Sequence, residues 1–158
     1  MLPNKDALGN ALLFDHAYTI LHNKMQEGAK NGNIQDAGLF VPVAINCTLS
    51  CELFLKAMLP IGTEGHKLYN DLFKKLKELN EPLANSIQDC VIQIMKEKVN
   101  DYSQTSFEND LTSHERAFID WRYFHEGKKS LNFDLQFMYA LEACLKQLAI
   151  IENSTCPL

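Results

Sequence analysis

At 158 residues, with 46% hydrophobic and 22% charged residues and only seven Gly and five Pro, the chain has the composition of one globular domain with few turns, which excludes a disordered tail or a fibrous repeat. Its formal net charge of -5 argues against a whole-chain electrostatic grip on nucleic acid, which needs a basic surface to displace counterions from phosphates. The five cysteines, Cys47, Cys51, Cys90, Cys144 and Cys156, are odd in number and lie mostly in apolar helical patterns, so reduced thiols in the cytoplasm are expected, not a secreted disulfide framework. The N-terminus shows no cationic start followed by an apolar core, and no apolar run approaches bilayer-spanning length, so no membrane association is expected. The triplets at Asn46 and Asn153 then read as chance matches to a glycosylation pattern.

In chain order, Leu8, Leu12, Leu13, Ala17, Ile20, Leu21 and Met25 recur at helical spacing and predict a first helix, ended by Gly28 and Asn31-Gly32-Asn33. A second helix begins near Asp36, tolerates Pro42 in its first turn and continues until Pro60 and Gly62; apolar nearly all round, it is the expected central helix. His66 opens a third, with a stripe of Leu68, Leu72, Phe73, Leu76 and Leu79. Asn80 caps a fourth, packed through Ile87, Val91, Ile94 and Met95, before a polar loop over residues 100–105. A fifth runs from about Ser106 to Glu126 with Gly127 at its end, and a sixth from about Phe133 to Ile151. No period-two run and no internal repeat occurs, so residues 1–158 are expected to form a single all-α domain, an up-and-down bundle of five or six helices.

Three segments carry a resemblance: CTLSCELFLKAML from Cys47, GHKLYNDLFKKL from Gly65, and AFIDWRYFHE from Ala117 to Glu126. Together they resemble the pattern of the HEPN superfamily of small helical-bundle domains, and the third resembles the Trp-Arg-Tyr and Glu signature of one uncharacterised bacterial branch. The resemblance covers roughly residues 38–148. It implies a helical bundle, a homodimer, and one of several roles: ribonuclease toxin, partner of a minimal nucleotidyltransferase or cognate antitoxin, or domain binding a nucleotide or RNA. Catalytic members of that superfamily use an arginine and a histidine separated by four to six residues. Here Arg116 and His125 have eight residues between them, which places them on opposite sides of one helix, and Arg122 and His125 have only two.

The resemblance and the residue chemistry single out His66, Arg122, Tyr123, His125 and Glu126 as ligand-binding candidates, with Arg122 and His125 the only catalytic candidates. On one continuous fifth helix, Arg122 shares a stripe with Leu111 and Phe118 and faces inward; Glu126 or Glu52 then has to pair with it, and Arg122→Ala is expected to cost a few kcal/mol. His125 reads either as an acid, base or phosphate donor, or as a cation favoured at a helix C-terminus. His66 reads as a cap or packing residue, or as a group orienting an anion at a helix start. Cys47 and Cys51 share a helix face without a second ligand pair and read as core residues; no metal and no cofactor are expected. The expectation is a HEPN-like domain binding RNA or a nucleotide in a defence or toxin-antitoxin setting, without strong catalysis. The alternatives are a dimerising protein-interaction adaptor and a degenerate or rearranged metal-independent ribonuclease.

Overall fold

A computed structural model describes residues 4–123, 126 and 133–155. It is all-α, 80% helical, and has no strand among the described residues. Helix α1 (Lys5–Asn31) is capped by the Asn4 side chain, which accepts from the Ala7 N–H. It runs through Gly28 and stops at Gly32, whose φ of 71° is left-handed and free of strain only for glycine. Gly28 is instead where the one-turn helix α2 (Ile34–Ala37) presses on α1, since a Cβ there would lie 2.5 Å from that of Asp36.

Helix α3 (Phe40–Ala57) is the central helix, with Pro42 in its first turn, where no intrahelical N–H is lost. The stretch Ile34–Ala57 corrects the expectation from run length: it is long and apolar enough to cross a membrane, with a mean hydropathy of 1.7. In the fold it comprises α2 and the core helix α3, and in α3 Val43, Cys47, Cys51, Phe54 and Leu55 are fully buried. The predicted third helix starts as a π-helical turn over Leu68–Phe73 and runs directly into α4 (Lys74–Leu79). Helix α5 (Glu81–Lys96) follows, capped by Asn80 as expected, and α8 (Leu135–Thr155) closes the bundle.

The predicted fifth helix is two helices, α6 (Gln104–Ser113) and α7 (Ala117–Arg122). His114 sits at the break. Its Nδ1 donates to the Asp110 carbonyl at 2.8 Å and its Nε2 accepts from the Asp134 N–H at 2.8 Å, so one buried imidazole ties the end of α6 to the chain entering α8. Beyond it, Trp121 makes edge contacts with Phe40 and Phe133 and fixes α7 against the start of α3.

Side-chain and backbone links set the helix directions. The Asn4 N–H reaches the Ala57 carbonyl, so α1 runs antiparallel to α3. Cys47 lies against Met138 and Ala57 against Asn153, so α3 and α8 run parallel. Cys90 and Cys144 form a disulfide, and with Met95 facing the Leu135 end this makes α5 antiparallel to α8. The disulfide corrects the expectation of reduced thiols, which holds for Cys47 and Cys51; Cys156 lies outside the described residues. Asn153 is buried, with its amide donating to the Ala57 and Ala149 carbonyls, and so is closed to modification.

Candidate functional site

The first two segments of the resemblance meet at one carboxylate. Glu52, on the inward side of α3 and 3% exposed, accepts at Oε1 from Lys56 Nζ and from His66 Nδ1, each at 2.8 Å. Lys56 is one turn further along α3, so helical spacing alone brings it there. His66 arrives from the connector. Gly65 turns the chain with a φ of 106°, and the Asp71 carboxylate then accepts from the N–H groups of both His66 and Lys67 at 3.0 Å. The hydrogen bond from Lys67, then that from His66, holds the Asp71 carboxyl below its ordinary range.

This cap answers one expectation about His66. The N–H groups of His66 and Lys67 are occupied by Asp71 and that of Leu68 by the Glu115 carbonyl, so these donors are closed to an anion, and the imidazole itself is neither cap nor core. It is 60% exposed, with Nδ1 fixed by Glu52, which leaves Nε2 for an external partner. Gly65 permits this placement, since a Cβ at that position would lie 2.5 Å from Asp71 Cβ in a backbone conformation that L side chains avoid. Gly65→Ala is therefore expected to destabilise the fold by roughly 1–3 kcal/mol, read as a lowered midpoint in urea unfolding. An unchanged midpoint would show that the connector has no need of glycine.

The third segment is placed differently from the expectation. Arg122 is exposed and does not meet Glu52; its guanidinium donates to the Tyr123 hydroxyl at 2.5 Å and lies 4.8 Å from the Tyr123 ring and 5.8 Å from that of Phe118. The break at His114 is the reason. The stripe that turned Arg122 inward assumed one unbroken helix, and the burial cost assigned to Arg122→Ala does not arise. Glu126 is exposed, and His125 lies outside the described residues. Arg116 pairs with Asp120 at 3.9 Å.

A second polar cluster has no counterpart in the sequence reading. Between α1 and α8 lies a cavity of about 600 Å³, walled by Asp15 and Tyr18 on one side and Glu142 and Lys146 on the other. Lys146 Nζ donates to Asp15 Oδ2 at 2.6 Å. Glu142 is 4% exposed, and burial, followed by the hydrogen bond and charge of Asp15, pushes its carboxyl up to about 8 against the pull of Lys146. Glu142 Oε1 and the Tyr18 hydroxyl are buried without a hydrogen-bond partner. Beneath them Cys51 is fully buried on α3, and burial raises its thiol well above the ordinary value. A sequence signal did exist: Asp15 and Glu142 occupy inward positions of their helical stripes, between Ala11 and Tyr18 and between Met138 and Leu145. Among the described residues no group of His, Cys, Asp and Glu side chains is arranged to hold a metal ion.

No protein-family model matches this chain, and no curated protein or solved structure proved similar to it.

Proposed function

We propose that this chain is a HEPN-like domain that binds RNA or a nucleotide, with His66 as its principal contact and Lys56 supplying positive charge beside it. The observation in favour is the Glu52–His66 pair. A buried carboxylate fixed to Nδ1 orients the ring and makes Nε2 an acceptor for a ribose hydroxyl or, in the protonated ring, a donor to a phosphate oxygen. Glu52, Lys56 and His66 are also residues of the first two of the three segments that carry the resemblance, and they converge at one point although His66 follows Glu52 by fourteen positions. Arg122 with its two rings offers the stacking and cationic chemistry that suits a base or a phosphate. The defence or toxin-antitoxin setting, the homodimer and the antitoxin or nucleotidyltransferase partner are part of the proposal and rest on the resemblance; the cytoplasmic location proposed with them rests on the sequence composition.

The test is fluorescence anisotropy with labelled RNA oligonucleotides and nucleotides at low salt. His66→Ala should weaken binding by roughly 1–3 kcal/mol, the loss of one charge-assisted contact; it also removes one of the two donors to the buried Glu52, so a modest loss of stability is expected with Lys56 still in place, and binding is compared where both proteins are folded. If RNA is cleaved without added metal, and the cleavage is lost in His66→Ala, the ribonuclease alternative takes over. If the wild type binds nothing in the panel, the adaptor reading gains, favoured by Leu13 and Ile20, which are 68% and 53% exposed on one face of α1.

A further inference from the structure

We propose that the cavity between α1 and α8 is a binding site for a small organic amine with an apolar body, its ammonium received by Glu142 and Asp15. The first ground is charge. The titratable groups facing one another here are Asp15, Tyr18 and His22 from α1, Tyr139, Glu142 and Lys146 from α8, and Cys47 and Cys51 from α3 below. Two carboxyl groups thus share one ammonium, that of Lys146, so the second carboxyl can ionise only if a further cation joins it.

The second ground is unmet hydrogen bonding. Glu142 Oε1 and the Tyr18 hydroxyl, on residues 4% and 3% exposed, have no partner in the protein, and desolvated polar groups left in that state are costly unless a ligand completes them. The third is shape. The cavity shares His22 and Tyr139 with a second one of about 450 Å³, whose apolar part is Ile94, Met95 and Leu135 and whose polar part includes Glu97 and Lys98. An ammonium at the acidic end therefore places an apolar body along an apolar wall, with the half-exposed Tyr139 ring between the two. A phosphate or carboxylate ligand meets the wrong charge here, which separates this site from the one at His66.

With the groove empty the Glu142 carboxyl keeps its proton. When R–NH3+ docks, the Glu142 O–H bond breaks, the electron pair remains as carboxylate facing the ammonium, and the proton leaves to solvent. Binding and proton release are thus one event.

Isothermal titration calorimetry on the full chain at pH 7, in two buffers of different ionisation heat, reads both. With 2-phenylethylamine as probe, saturable binding with release of up to about one proton per amine is expected, whereas 3-phenylpropionate should not bind. Glu142→Gln keeps the shape of the protonated side chain but cannot ionise; it should lower amine affinity about tenfold or more and abolish proton release. Lys146→Met removes the resident ammonium and should raise the affinity. Absence of saturable amine binding up to millimolar concentration in both wild type and Lys146→Met overturns the proposal, as does a folded Glu142→Gln that binds the amine as wild type does. Either result leaves the His66 reading untouched, because that reading is tested with RNA and nucleotides.

Discussion

Reducing the Cys90–Cys144 disulfide is expected to lower the unfolding free energy by about 4 kcal/mol, from the loop-closure entropy that a bridge of this span removes from the unfolded chain. The bridge joins α5 to α8 across 54 residues and encloses α6 and α7. Urea unfolding with and without reductant should show the lower midpoint on reduction, and Cys90→Ala should reproduce it in the absence of reductant. Alkylation before and after reduction should add two labels on reduction. Identical midpoints would mean that packing between α5 and α8 alone sets the stability of this pair.

The pairing shows what sequence spacing omits. Cys90 and Cys144 each lie in an apolar helical pattern, as do Cys47 and Cys51, and nothing local distinguishes the bonded pair from the free one. Only the antiparallel approach of α5 and α8 brings the Cα atoms to 6.0 Å. The helices themselves were legible because burial repeats at the helical period: the stripe of Ile87, Val91 and Met95 is buried as the pattern requires. Breaks in that period were not, because the signal that splits α6 from α7 is a tertiary hydrogen bond from Asp134 to His114, twenty residues away.

The same limit decided the site. His66 is legible in the sequence as a residue of interest, and Glu52 only as one of two carboxylates that could pair with an inward Arg122. The partner proposed for it was Arg122, whereas Lys56 and His66 fill that role. Helix phase carried across the unseen break misplaced Arg122. Asp15 and Glu142 were missed for a different reason: each looks like an ordinary polar residue within its own helix, and their meeting depends on α1 and α8, which lie more than a hundred residues apart. A carboxylate at an inward position of an amphipathic stripe is the local clue, and its cost in a dry interior is the physical reason to look for its partner.

That cost sets the last expected result, a loss of stability on going from mildly acidic to mildly alkaline pH. In the unfolded chain the Glu142 carboxyl titrates at its ordinary 4.5; in the fold, burial first and Asp15 second push it to about 8, with Lys146 opposing. Between those values the folded chain keeps a proton that the unfolded chain has released. Stability therefore falls as pH rises, by at most about 1.4 kcal/mol per pH unit for one group. The contribution is complete below 4.5 and gone above about 8. Asp71, whose carboxyl is held low, acts in the opposite sense and only at acid pH below this window, where stability is lost as pH falls. Urea midpoints at pH 5, 6, 7 and 8 should decline steadily in the wild type. Glu142→Gln cannot ionise, so its midpoints should stay nearly level across the same range and exceed those of the wild type at pH 8. Parallel declines in the two proteins would assign the pH dependence to other groups and show that Glu142 carries an ordinary charge in its groove.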